Sequence, residues 1–290
     1  MIIIRPKFLI VGTIRNCGAR ITAEYNRINT AFAAIGETKW LIVESDSDDN
    51  TTEKLHLLSQ STADFNYLSL GKLSPSMPKR THRIAHCRNL CLEQIKINPN
   101  YSNSNYIVVA DLDGVNSKLT PAAVASCFTR DDWDACFANQ DGPYYDIWAL
   151  RHRFWSPNDY WDQYNFLISQ SVKPHIAIRI AHFSRSITIP GDGGWIEVDS
   201  AFGGLGIYRR SIFVTGSYNG TSIHQGELCE HVQFHEILRQ NGAKLFIVPS
   251  LINNRTPRLA NFISQHIYTL HLGARSLRQS LQTRLAKFIR

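Results

Sequence analysis

The chain has 290 residues, of which 43% are hydrophobic and 19% are charged, and this composition excludes a disordered, collagen-like or coiled-coil protein. Its length suits one large α/β domain or two small ones. No apolar run approaches the ~20 residues that a membrane-spanning helix needs, and the first residues lack the basic leader of a signal peptide. We therefore expect a soluble cytoplasmic protein.

The charged residues and the cysteines narrow the class of protein further. Residues 255–290 carry seven basic and no acidic residues, whereas residues 1–254 hold 24 of each, so the net charge of +7 belongs to the carboxyl-terminal tail. A nucleic-acid-binding protein more often carries basic residues across its folded domain, and we expect no nucleic acid partner. The six cysteines include no C-x-x-C pair and are expected to be reduced packing residues.

Predicted strands and helices alternate along the chain. The hydrophobic pattern predicts strands at 7–12, 40–43, 65–70 and 106–110, separated by helices at 20–35, from about 52, and at 80–96. After an irregular segment at 140–195 come a Gly-Gly turn and strand within 197–208, a helix at 227–240 and a strand at 244–248. This alternation indicates an α/β fold with a mostly parallel sheet, which binds ligands at the carboxyl ends of its strands. We predict one domain over 1–254 and a helical appendage over 255–290.

The tail has the pattern of an amphipathic helix over residues 274–290. One side of that helix carries Ala274, Leu277, Leu281, Leu285 and Phe288, and the other side carries Arg275, Lys287 and Arg290. A basic face opposite an apolar face is typical of a helix that lies on an anionic membrane surface. The tail is therefore expected to hold the protein peripherally at the inner face of a membrane. Docking of its apolar side on the domain or on a second subunit is the alternative.

Three D-x-D triplets occur, and their context separates them. Only Asp111 and Asp113 directly follow an apolar strand, unlike the triplets at 46–48 and 132–134. Two carboxylates at the carboxyl edge of a sheet suit Mg²⁺ or Mn²⁺, which commonly binds one or two carboxylates together with substrate phosphates. A solvated turn is the alternative interpretation of this triplet.

An acid also follows the second predicted strand, at Asp46. Such an acid commonly accepts hydrogen bonds from a ribose or a base. The polar segment at 45–50 also has the composition of a helix cap, and the two roles are compatible. Neither G-x-G-x-x-G nor a P-loop motif is present, which disfavours a Rossmann dinucleotide site or a P-loop.

The predicted helix at 80–96 carries an arginine close to its apolar face. Arg88 lies four residues after Ile84 and four before Leu92. A guanidinium packed against a core needs a carboxylate or phosphate partner, and Asp111 or Asp113 is the expected one. Arg83 and Lys79, near the start of the helix, are candidates to bind a diphosphate.

The predicted helix at 227–240 begins with Glu227, Glu230 and His231 near the edge of its apolar side. An inward carboxylate is a candidate general base. His231 and His235 have the spacing of a zinc protease, but the glutamate of H-E-x-x-H is absent. We expect one of these histidines to be structural.

The order of these segments resembles that of GT-A-fold nucleotide-sugar glycosyltransferases. The similarity is to the fungal capsule-associated mannosyltransferase family and its bacterial relatives, and it covers roughly residues 7–250. It rests on the segments Val11-Gly12-Thr13-Ile14-Arg15-Asn16, Val43-Glu44-Ser45-Asp46, Arg88-Asn89, Val108-Val109-Ala110-Asp111-Leu112-Asp113, Ser200-Ala201-Phe202-Gly203-Gly204 and Cys229-Glu230-His231. The resemblance implies a GT-A-like (Rossmann-like) mixed sheet.

The resemblance also implies roles for single residues. The residues that would border the nucleotide are Thr13, Arg15, Glu44 and Asp46, and those that would hold the metal and diphosphate are Asp111 and Asp113. Gly203 and Gly204 would form a small-residue loop beside the sugar and acceptor, and Glu230 would take the position of the base of inverting enzymes. Two departures are noted. Asn253-Asn254 stands where such enzymes often have a metal-binding histidine, and retaining members would not use Glu230 to remove a proton.

The residues and the resemblance together favour a metal-dependent glycosyltransferase. It would use Mn²⁺ or Mg²⁺ and move a sugar from a UDP- or GDP-sugar to a hydroxyl of a glycan or lipid-linked glycan, with Arg88 helping to stabilise the leaving diphosphate. The nearest alternative is a sugar nucleotidyltransferase of related fold, although the segment at 16–20 is a poor substitute for its Gly- and basic-rich loop. A non-catalytic glycan-binding protein, suggested by the aromatic segment at 144–164, is the second alternative.

Overall fold

A computed structural model describes residues 5–221 and 227–256 of the chain. The strands are β1 (Lys7–Ile14), β2 (Glu37–Glu44), β3 (Phe65–Ser69), β4 (Tyr106–Ala110), β5 (Ala135–Asp141), β6 (Ile196–Glu197), β7 (Leu205–Arg209) and β8 (Leu245–Arg255). The helices are α1 (Ile21–Ala33), α2 (Thr51–Ser61), α3 (Arg80–Ile97), α4 (Pro121–Ala125), α5 (Tyr160–Ser169), α6 (Pro174–Ala181), α7 (Arg210–Phe213) and α8 (Glu230–Gln240).

The eight strands form one mixed sheet in the order β3-β2-β1-β4-β7-β5-β8-β6. The strands β1 to β4 are mutually parallel, β7 pairs antiparallel with β4 and β5, and β8 is parallel to β5. Strand β6 is antiparallel to β8, so only β6 and β7 run against the common direction. The predicted fold class, a mixed and mostly parallel sheet flanked by helices, is confirmed.

Two apolar clusters cover the two faces of the sheet. Successive side chains of a strand point to opposite faces, so Leu9 and Val11 of β1 belong to one cluster while Phe8 and Ile10 belong to the other. Helix α3 packs on the first cluster and α1 on the second. Because both faces are covered, the central strands are continuous apolar runs, which is why the sequence pattern revealed them.

The cysteines take part in this packing. All six are free thiols, and all except Cys17 are buried. Cys87 and Cys91 lie on the core side of α3, where they pack in the first apolar cluster. The expectation of reduced packing cysteines is confirmed.

Strand β5 is present where no strand was predicted. Its second half contains Asn139 and Gln140, which are fully buried, and polarity at these positions hides the strand from a hydrophobic pattern. The side-chain amide of Asn139 donates to the carbonyls of Ile189 and Pro249 at 3.0 Å each, and that of Gln140 donates to the Gly203 carbonyl at 3.3 Å. Hydrogen bonds with distant loops therefore replace the apolar contacts that a central strand normally makes.

Two predicted boundaries were wrong. Strand β8 does not end before Pro249 but continues to Arg255, because the register with β5 shifts between Phe137 and Asn139 and the proline lies at that irregularity. Helix α8 begins at Glu230 and not at 227. Glu227 instead accepts hydrogen bonds from Thr81 at the start of α3, which holds it outside the helix.

The predicted helix at 274–290, and nearly all of the predicted appendage at 255–290, lie outside the described residues. The last described strand runs one residue past the predicted domain boundary at 254. Among the described residues, no helix combines the length and the apolar character needed to cross a membrane.

Candidate active site

A cavity of about 310 Å³ opens at the carboxyl ends of β1, β2 and β4. The first half of α3 and the start of α8 form its other walls. Its polar lining includes Thr13, Arg15, Asp46, Arg80, Arg83, Arg88, Asp111, Asp113, Asp146 and Glu230. This is the edge at which open α/β sheets bind ligands, and eight of the eleven predicted site residues line the cavity.

Asp111 and Asp113 extend into the cavity from the end of β4. The backbone N–H of Asp111 donates to the Gly204 carbonyl at 2.9 Å, and its carbonyl accepts from the Asn116 amide at 2.7 Å, so the turn is held at both sides. The Asp111 side chain keeps 37% of its surface exposed. Its limited hydration within the cavity raises its pKa to about 7, against the opposing effect of Arg88 and with a further contribution from Asp113.

Arg88 lies buried beneath this turn and joins two carboxylates. Its Nε donates to Glu230 Oε1 at 2.9 Å, and Nη2 lies 3.4 Å from Asp111 Oδ1. The guanidinium also packs over the Phe202 ring, with its carbon 5.3 Å from the ring centroid. The expected contact between Arg88 and Asp111 is confirmed, whereas the contact with Glu230 had not been predicted.

Glu230 is the first residue of α8, and its carboxylate faces the cavity. The amino terminus of a helix favours a negative side chain, and Arg88 fixes that side chain in place. Glu227, the other acid considered as a base, accepts from the backbone N–H and the hydroxyl of Thr81 at 3.3 and 3.2 Å. Glu227 lines a neighbouring groove and not this cavity.

The two histidines of α8 are both buried but differ in their contacts. His235 lies between the Ser200 hydroxyl and the Tyr208 hydroxyl, 2.8 Å from each, which is a structural role. His231 stacks on Phe202 with ring centroids 3.9 Å apart and lines the cavity. Burial, reinforced by the positive charge of Arg88, lowers the pKa of His235 to about 3 and also lowers the pKa of His231. Both rings are therefore neutral at neutral pH.

Asp46 anchors the part of the cavity beneath β1 and β2. Its backbone has a positive φ of 61°, which aspartate tolerates better than most residues, and its carboxylate accepts from the Ser74 N–H at 2.8 Å. Burial opposes ionisation here, but the Ser74 hydrogen bond and the Arg83 guanidinium, 3.4 Å away, lower its pKa. Arg15 donates to the Asp46 carbonyl at 3.1 Å. The predicted nucleotide residues Thr13, Arg15, Asp46 and Arg83 are thus brought together.

Three predicted site residues do not line the cavity. The Glu44 carboxylate accepts hydrogen bonds from the Ser47 N–H and the Ser69 hydroxyl and so holds the loop after β2. Gly203 and Gly204 have positive φ values of 68° and 85° and contact the cavity residues from outside. The Gly203 N–H donates to Asp146 at 3.0 Å, while the Gly204 carbonyl accepts from Asp111. Their observed contacts position two acids of the site.

Sequence reasoning missed Asp146, which lines the cavity beside Tyr145 and Trp148. Its carboxylate accepts from the backbone N–H groups of Gly203 and Ala149 at 3.0 and 3.3 Å. Burial raises its pKa in spite of these two hydrogen bonds. The aromatic segment at 144–164 was the signal for this residue, but the segment was interpreted only as a possible carbohydrate platform.

The other D-x-D acids have local partners. Asp132 forms an ion pair with Arg130, and Asp134 accepts from the Lys244 N–H at 2.9 Å. Asp48 forms an ion pair with Lys72. Asp46, the first acid of the triplet at 46–48, is buried and lines the same cavity as Asp111 and Asp113, whereas Asp48, Asp132 and Asp134 do not line it.

The acids of the cavity match one mode of divalent metal binding. No group of three or more His, Cys, Asp or Glu side chains in the described part of the chain has the arrangement of a metal cage. Mg²⁺ and Mn²⁺ are often held by one or two carboxylates, with substrate phosphates and water completing the shell. Asp111 and Asp113 are such a pair of oxygen donors. Asp146 and Glu230 line the same cavity and add negative charge near Asp111, which is a further reason why a cation fits there.

Known proteins resemble this chain only in structure. No protein-family model and no curated protein matches the sequence. The similar solved structures include three that illustrate the likeness. They are the mannosyltransferase PcManGT from Pyrobaculum calidifontis with GDP-Man and Mn²⁺ (12% identity, TM-score 0.48), glucosyl-3-phosphoglycerate synthase from Mycobacterium tuberculosis with UDP (12%, 0.42) and TarS 1–349 from S. aureus with UDP-GlcNAc (13%, 0.46).

The matches cover 88%, 87% and 87% of this chain but only 58%, 72% and 59% of those three chains, in the same order. Each of the three neighbours is a glycosyltransferase by name or carries a bound nucleotide or nucleotide sugar. Similarity at this level carries no argument about the activity of this chain. The chemistry of its own cavity has to supply that argument.

Proposed function

We propose that the protein is a glycosyltransferase that moves a sugar from a nucleoside-diphosphate sugar to a hydroxyl of a glycan. The observation that carries the proposal is the pairing, within one cavity, of Asp111 and Asp113 with the cationic side chains of Arg15, Arg80 and Arg83. Two carboxylates suit a divalent cation, and neighbouring guanidinium groups suit phosphate oxygens. A diphosphate bound between them satisfies both sets of groups.

The donor is assigned to the cavity by the same chemistry. Thr13, Arg15, Asp46, Arg80 and Arg83 all line this cavity. In the proposed complex the first three border the nucleoside, and the two arginines of α3 bind the diphosphate. Asp111 and Asp113 would hold Mn²⁺ or Mg²⁺, which would supply positive charge for the leaving diphosphate. The protein's own contribution is orientation, because Arg88 holds Asp111 from behind at 3.4 Å.

Glu230 is the proposed general base of an inverting reaction. It faces the cavity, and its ion pair with Arg88 fixes the carboxylate within a rigid helix start. A base that removes the proton of the attacking hydroxyl typically contributes ~10²–10⁴-fold to the rate. Asp146 is the second acid within this part of the lining.

The finer parts of the proposal rest on sequence pattern. The motif order that resembles the fungal capsule-associated mannosyltransferases supports a surface glycan, such as a capsule or lipopolysaccharide, as the acceptor and a UDP- or GDP-sugar as the donor. The basic, amphipathic pattern of residues 274–290 supports peripheral attachment to the inner face of a membrane. A lipid-linked acceptor would be presented at that surface.

Hydrogen bonds in the loop after β1 argue against a sugar nucleotidyltransferase. The backbone N–H groups of Asn16, Cys17 and Gly18 donate to Ser47, Thr51 and Asp49, at 3.1, 2.8 and 3.0 Å. A loop that binds a triphosphate offers such N–H groups to the phosphates. A protein that only binds glycans has no need for the acids around Asp111.

A thermal-shift panel tests the proposal. The protein is scanned with UDP-, GDP-, CMP- and dTDP-sugars, each with and without Mn²⁺, because a specific ligand stabilises the folded state by mass action. We expect one UDP- or GDP-sugar to raise the melting temperature only when Mn²⁺ is present, and Asp113→Asn to abolish that shift. Absence of any metal-dependent shift across the panel would count against donor binding.

A further inference from the structure

A second cavity adjoins the proposed donor cavity. It has a volume of about 660 Å³ and shares Arg80 and Trp148 with the first, so the two cavities are adjacent at the start of α3. Its remaining lining comes mainly from the start of α5 and from the chain before α8, namely Thr81, Asp159, Tyr160, Trp161, Asp162, Asn165, Glu227 and Leu228. We call this cavity the acceptor groove. Nothing in the donor-binding proposal uses it.

The acceptor groove combines aromatic rings with oxygen acceptors. Trp161 lies beside the buried Tyr160, with ring centroids 5.0 Å apart, and Trp148 lines the groove at its border with the donor cavity. Aromatic rings supply rigid apolar surface for the C–H faces of a sugar ring, while carboxylate and amide oxygens accept hydrogen bonds from its hydroxyls. Asp162 and Asn165 provide such oxygens at exposed positions of α5.

The charges of the acceptor groove limit the ligands that it can take. Asp159 is neutralised by an ion pair with Arg151. Asp162 and Glu227 form no ion pair with another residue of the described ranges 5–221 and 227–256. Among the described residues of its lining, Arg80 is the one Lys or Arg, and it lies at the border with the donor cavity. A ligand that carries phosphate would therefore meet carboxylates of like charge.

We infer that the acceptor groove binds the acceptor as uncharged hexose units and discriminates against acceptors that carry a phosphate group near the reacting sugar. The inference rests on the proposed function, since it assigns the second substrate of the same reaction. A hydroxyl of a sugar bound beside Trp148 would lie at the shared border of the two cavities, where the donor sugar is also expected.

Binding and turnover test this inference separately. The binding probes are hexose disaccharides and their 6-phosphates, titrated by calorimetry into the wild-type protein, Trp161→Ala and Asp162→Asn, with the exposed Asp192→Asn as the matched control. We expect the neutral sugars to bind at least tenfold more tightly than their phosphates. Trp161→Ala should weaken binding of the neutral disaccharides about tenfold. Asp162→Asn should reduce the ratio between the affinities for the neutral disaccharides and for their 6-phosphates. Asp192→Asn should change neither the affinity nor the ratio.

Two outcomes would overturn the inference. Tighter binding of the phosphorylated sugars is one, and binding that is absent or unaffected by both groove variants is the other. Release of nucleoside diphosphate from the donor to water is measured in parallel. Donor hydrolysis that persists without groove binding would refute the groove alone, whereas absence of both donor hydrolysis and donor binding would refute the proposed function.

A different surface carries a second inference. Of the nine large hydrophobic side chains that the described residues expose, six lie between positions 154 and 187, with Phe154 exposed by 78% and Phe166 by 61%. The six are Phe154, Phe166, Ile168, Ile176, Ile180 and Ile187. We call them the α5–α6 surface. Ile176 and Ile180 are four positions apart on α6 and so share one face of that helix, and an exposed apolar face marks an interaction surface.

Hydrogen bonds join the turn after Phe154 to the chain that follows α6. Arg185, buried after α6, donates to the Ser156 hydroxyl and to the Asn158 carbonyl at 2.7 Å each, and its carbonyl accepts from the Trp155 indole at 2.7 Å. The turn that carries Phe154 is therefore fixed against the end of α6. Helices α5 and α6 also pack on each other.

The charge of this region favours one kind of binding partner over others. The exposed cations of this region are Arg153, Lys173 and Arg179, and Arg153 lies over the Phe154 ring at 4.3 Å. Asp162 at the start of α5 is exposed, and residues 163–191 contain no acidic residue, so the region is positive on balance. A second copy of the chain would bring like charges together at this surface, and so would the tail at 257–290, which contains basic but no acidic residues. An anionic lipid surface is the complementary partner.

We propose that the α5–α6 surface contacts an anionic membrane, with its aromatic and isoleucine side chains entering the headgroup region. Full-length protein is sedimented with phosphatidylcholine vesicles that contain or lack phosphatidylglycerol. We expect binding only to the anionic vesicles, a decrease with added salt, and at least a tenfold loss for the double variant Ile176→Ser/Ile180→Ser. Leu57→Ser, at an exposed apolar position of α2, should bind like the wild type.

Wild-type sedimentation by the double variant would refute the α5–α6 surface as a membrane contact and leave the tail as the anchor. A wild-type dimer in light scattering that the same double variant converts to a monomer would assign the surface to a second copy, which also overturns the proposal. Binding that is equal for neutral and anionic vesicles would contradict the role of the basic residues.

Discussion

Arg88 is the residue through which the acids of the candidate site are connected. It is buried, and it contacts Glu230 on α8 at 2.9 Å and Asp111 after β4 at 3.4 Å. A buried arginine with two carboxylates stabilises the fold only while all partners are present, because each alone would be a desolvated charge. The same residue therefore contributes to stability and to the geometry of the site.

Replacing Arg88 by methionine is expected to lower the free energy of unfolding by about 3–5 kcal/mol, since two carboxylates lose their cation. Arg88→Lys keeps one charge but cannot span both acids, so its loss should be smaller. Urea unfolding followed by fluorescence measures both variants. A loss below ~1 kcal/mol for Arg88→Met would contradict the bridging role.

The two glutamates before and at the start of α8 separate a catalytic role from a structural one. Glu230→Gln is expected to reduce kcat by ~10²–10⁴-fold with little change in donor binding, because it removes the proposed base. Glu227→Gln keeps an oxygen that can accept from Thr81 but removes a negative charge from the neighbouring groove. It should therefore affect binding of the sugar acceptor and leave donor hydrolysis unchanged. Steady-state kinetics with donor titrations distinguish them. A near-normal kcat for Glu230→Gln together with a large loss for Asp146→Asn would transfer the role to Asp146.

The pKa of His235 predicts how stability depends on pH. In the unfolded chain a histidine binds a proton below pH ~6.5, whereas in the folded protein His235 remains neutral down to about pH 3. The unfolded state then binds more protons, so this residue makes stability fall as the pH decreases from 6.5, by about 1.4 kcal/mol per pH unit. His235→Gln should remove that slope in urea unfolding between pH 6.5 and 4.5, with the exposed His86→Gln as control. An unchanged slope would contradict the assignment.

At the scale of elements, the turn before β7 joins the sheet to the site. Gly203 and Gly204 both have positive φ values, and their backbone groups hold Asp146 and Asp111. A Cβ added to Gly203 would lie 2.7 Å from the Ala138 carbonyl oxygen, so space as well as backbone conformation requires glycine there.

Gly203→Ala is therefore expected to destabilise the protein by roughly 1–3 kcal/mol of backbone strain and a comparable amount from overpacking. Gly71→Ala is the matched control, because Gly71 has a similar φ of 62° but no atom within 4 Å of its added Cβ. Gly71→Ala should therefore lose only the stability that backbone strain costs. Thermal unfolding compares the two, and equal losses would show that packing against Ala138 does not matter.

The sequence pattern was sufficient for elements whose burial is apolar and local. Strand β4 and helix α3 appear close to their predicted positions, because continuous apolar strands and a regular apolar helix face are visible in one dimension. Strand β5 was not predicted, because Asn139 and Gln140 are buried through hydrogen bonds to loops 50 or more positions away. A hydrophobic pattern along the sequence carries no information about such distant hydrogen-bond partners.

Some residues of the candidate site could likewise be predicted from the sequence, and others could not. Asp111 and Asp46 were identifiable because each follows a recognisable strand, and strand ends meet at one edge of a parallel sheet. Asp146 lies in a segment without regular structure, so nothing in its neighbours along the chain placed it beside Gly203. The contact between Arg88 and Glu230 joins residues 142 positions apart and needed the folded sheet to bring α3 and α8 together.

At the scale of the whole molecule, the proposed donor cavity and acceptor groove meet along α3, and α5 connects the groove to the α5–α6 surface. This arrangement fits an enzyme that takes its donor from solution and its acceptor from a membrane. The net charge of +7, which belongs to the tail, acts in the same direction as the basic residues of the α5–α6 surface.

The most direct test of this account is the release of nucleoside diphosphate from a UDP- or GDP-sugar, measured with Mn²⁺ and with excess EDTA for the wild type and Asp113→Asn. The account predicts release by the wild type with Mn²⁺, loss of release in EDTA, and no release by Asp113→Asn at an unchanged melting temperature in the absence of donor. Asp192→Asn should behave as the wild type. Undiminished wild-type release in EDTA, or normal release by Asp113→Asn, would contradict a site built on Asp111 and Asp113.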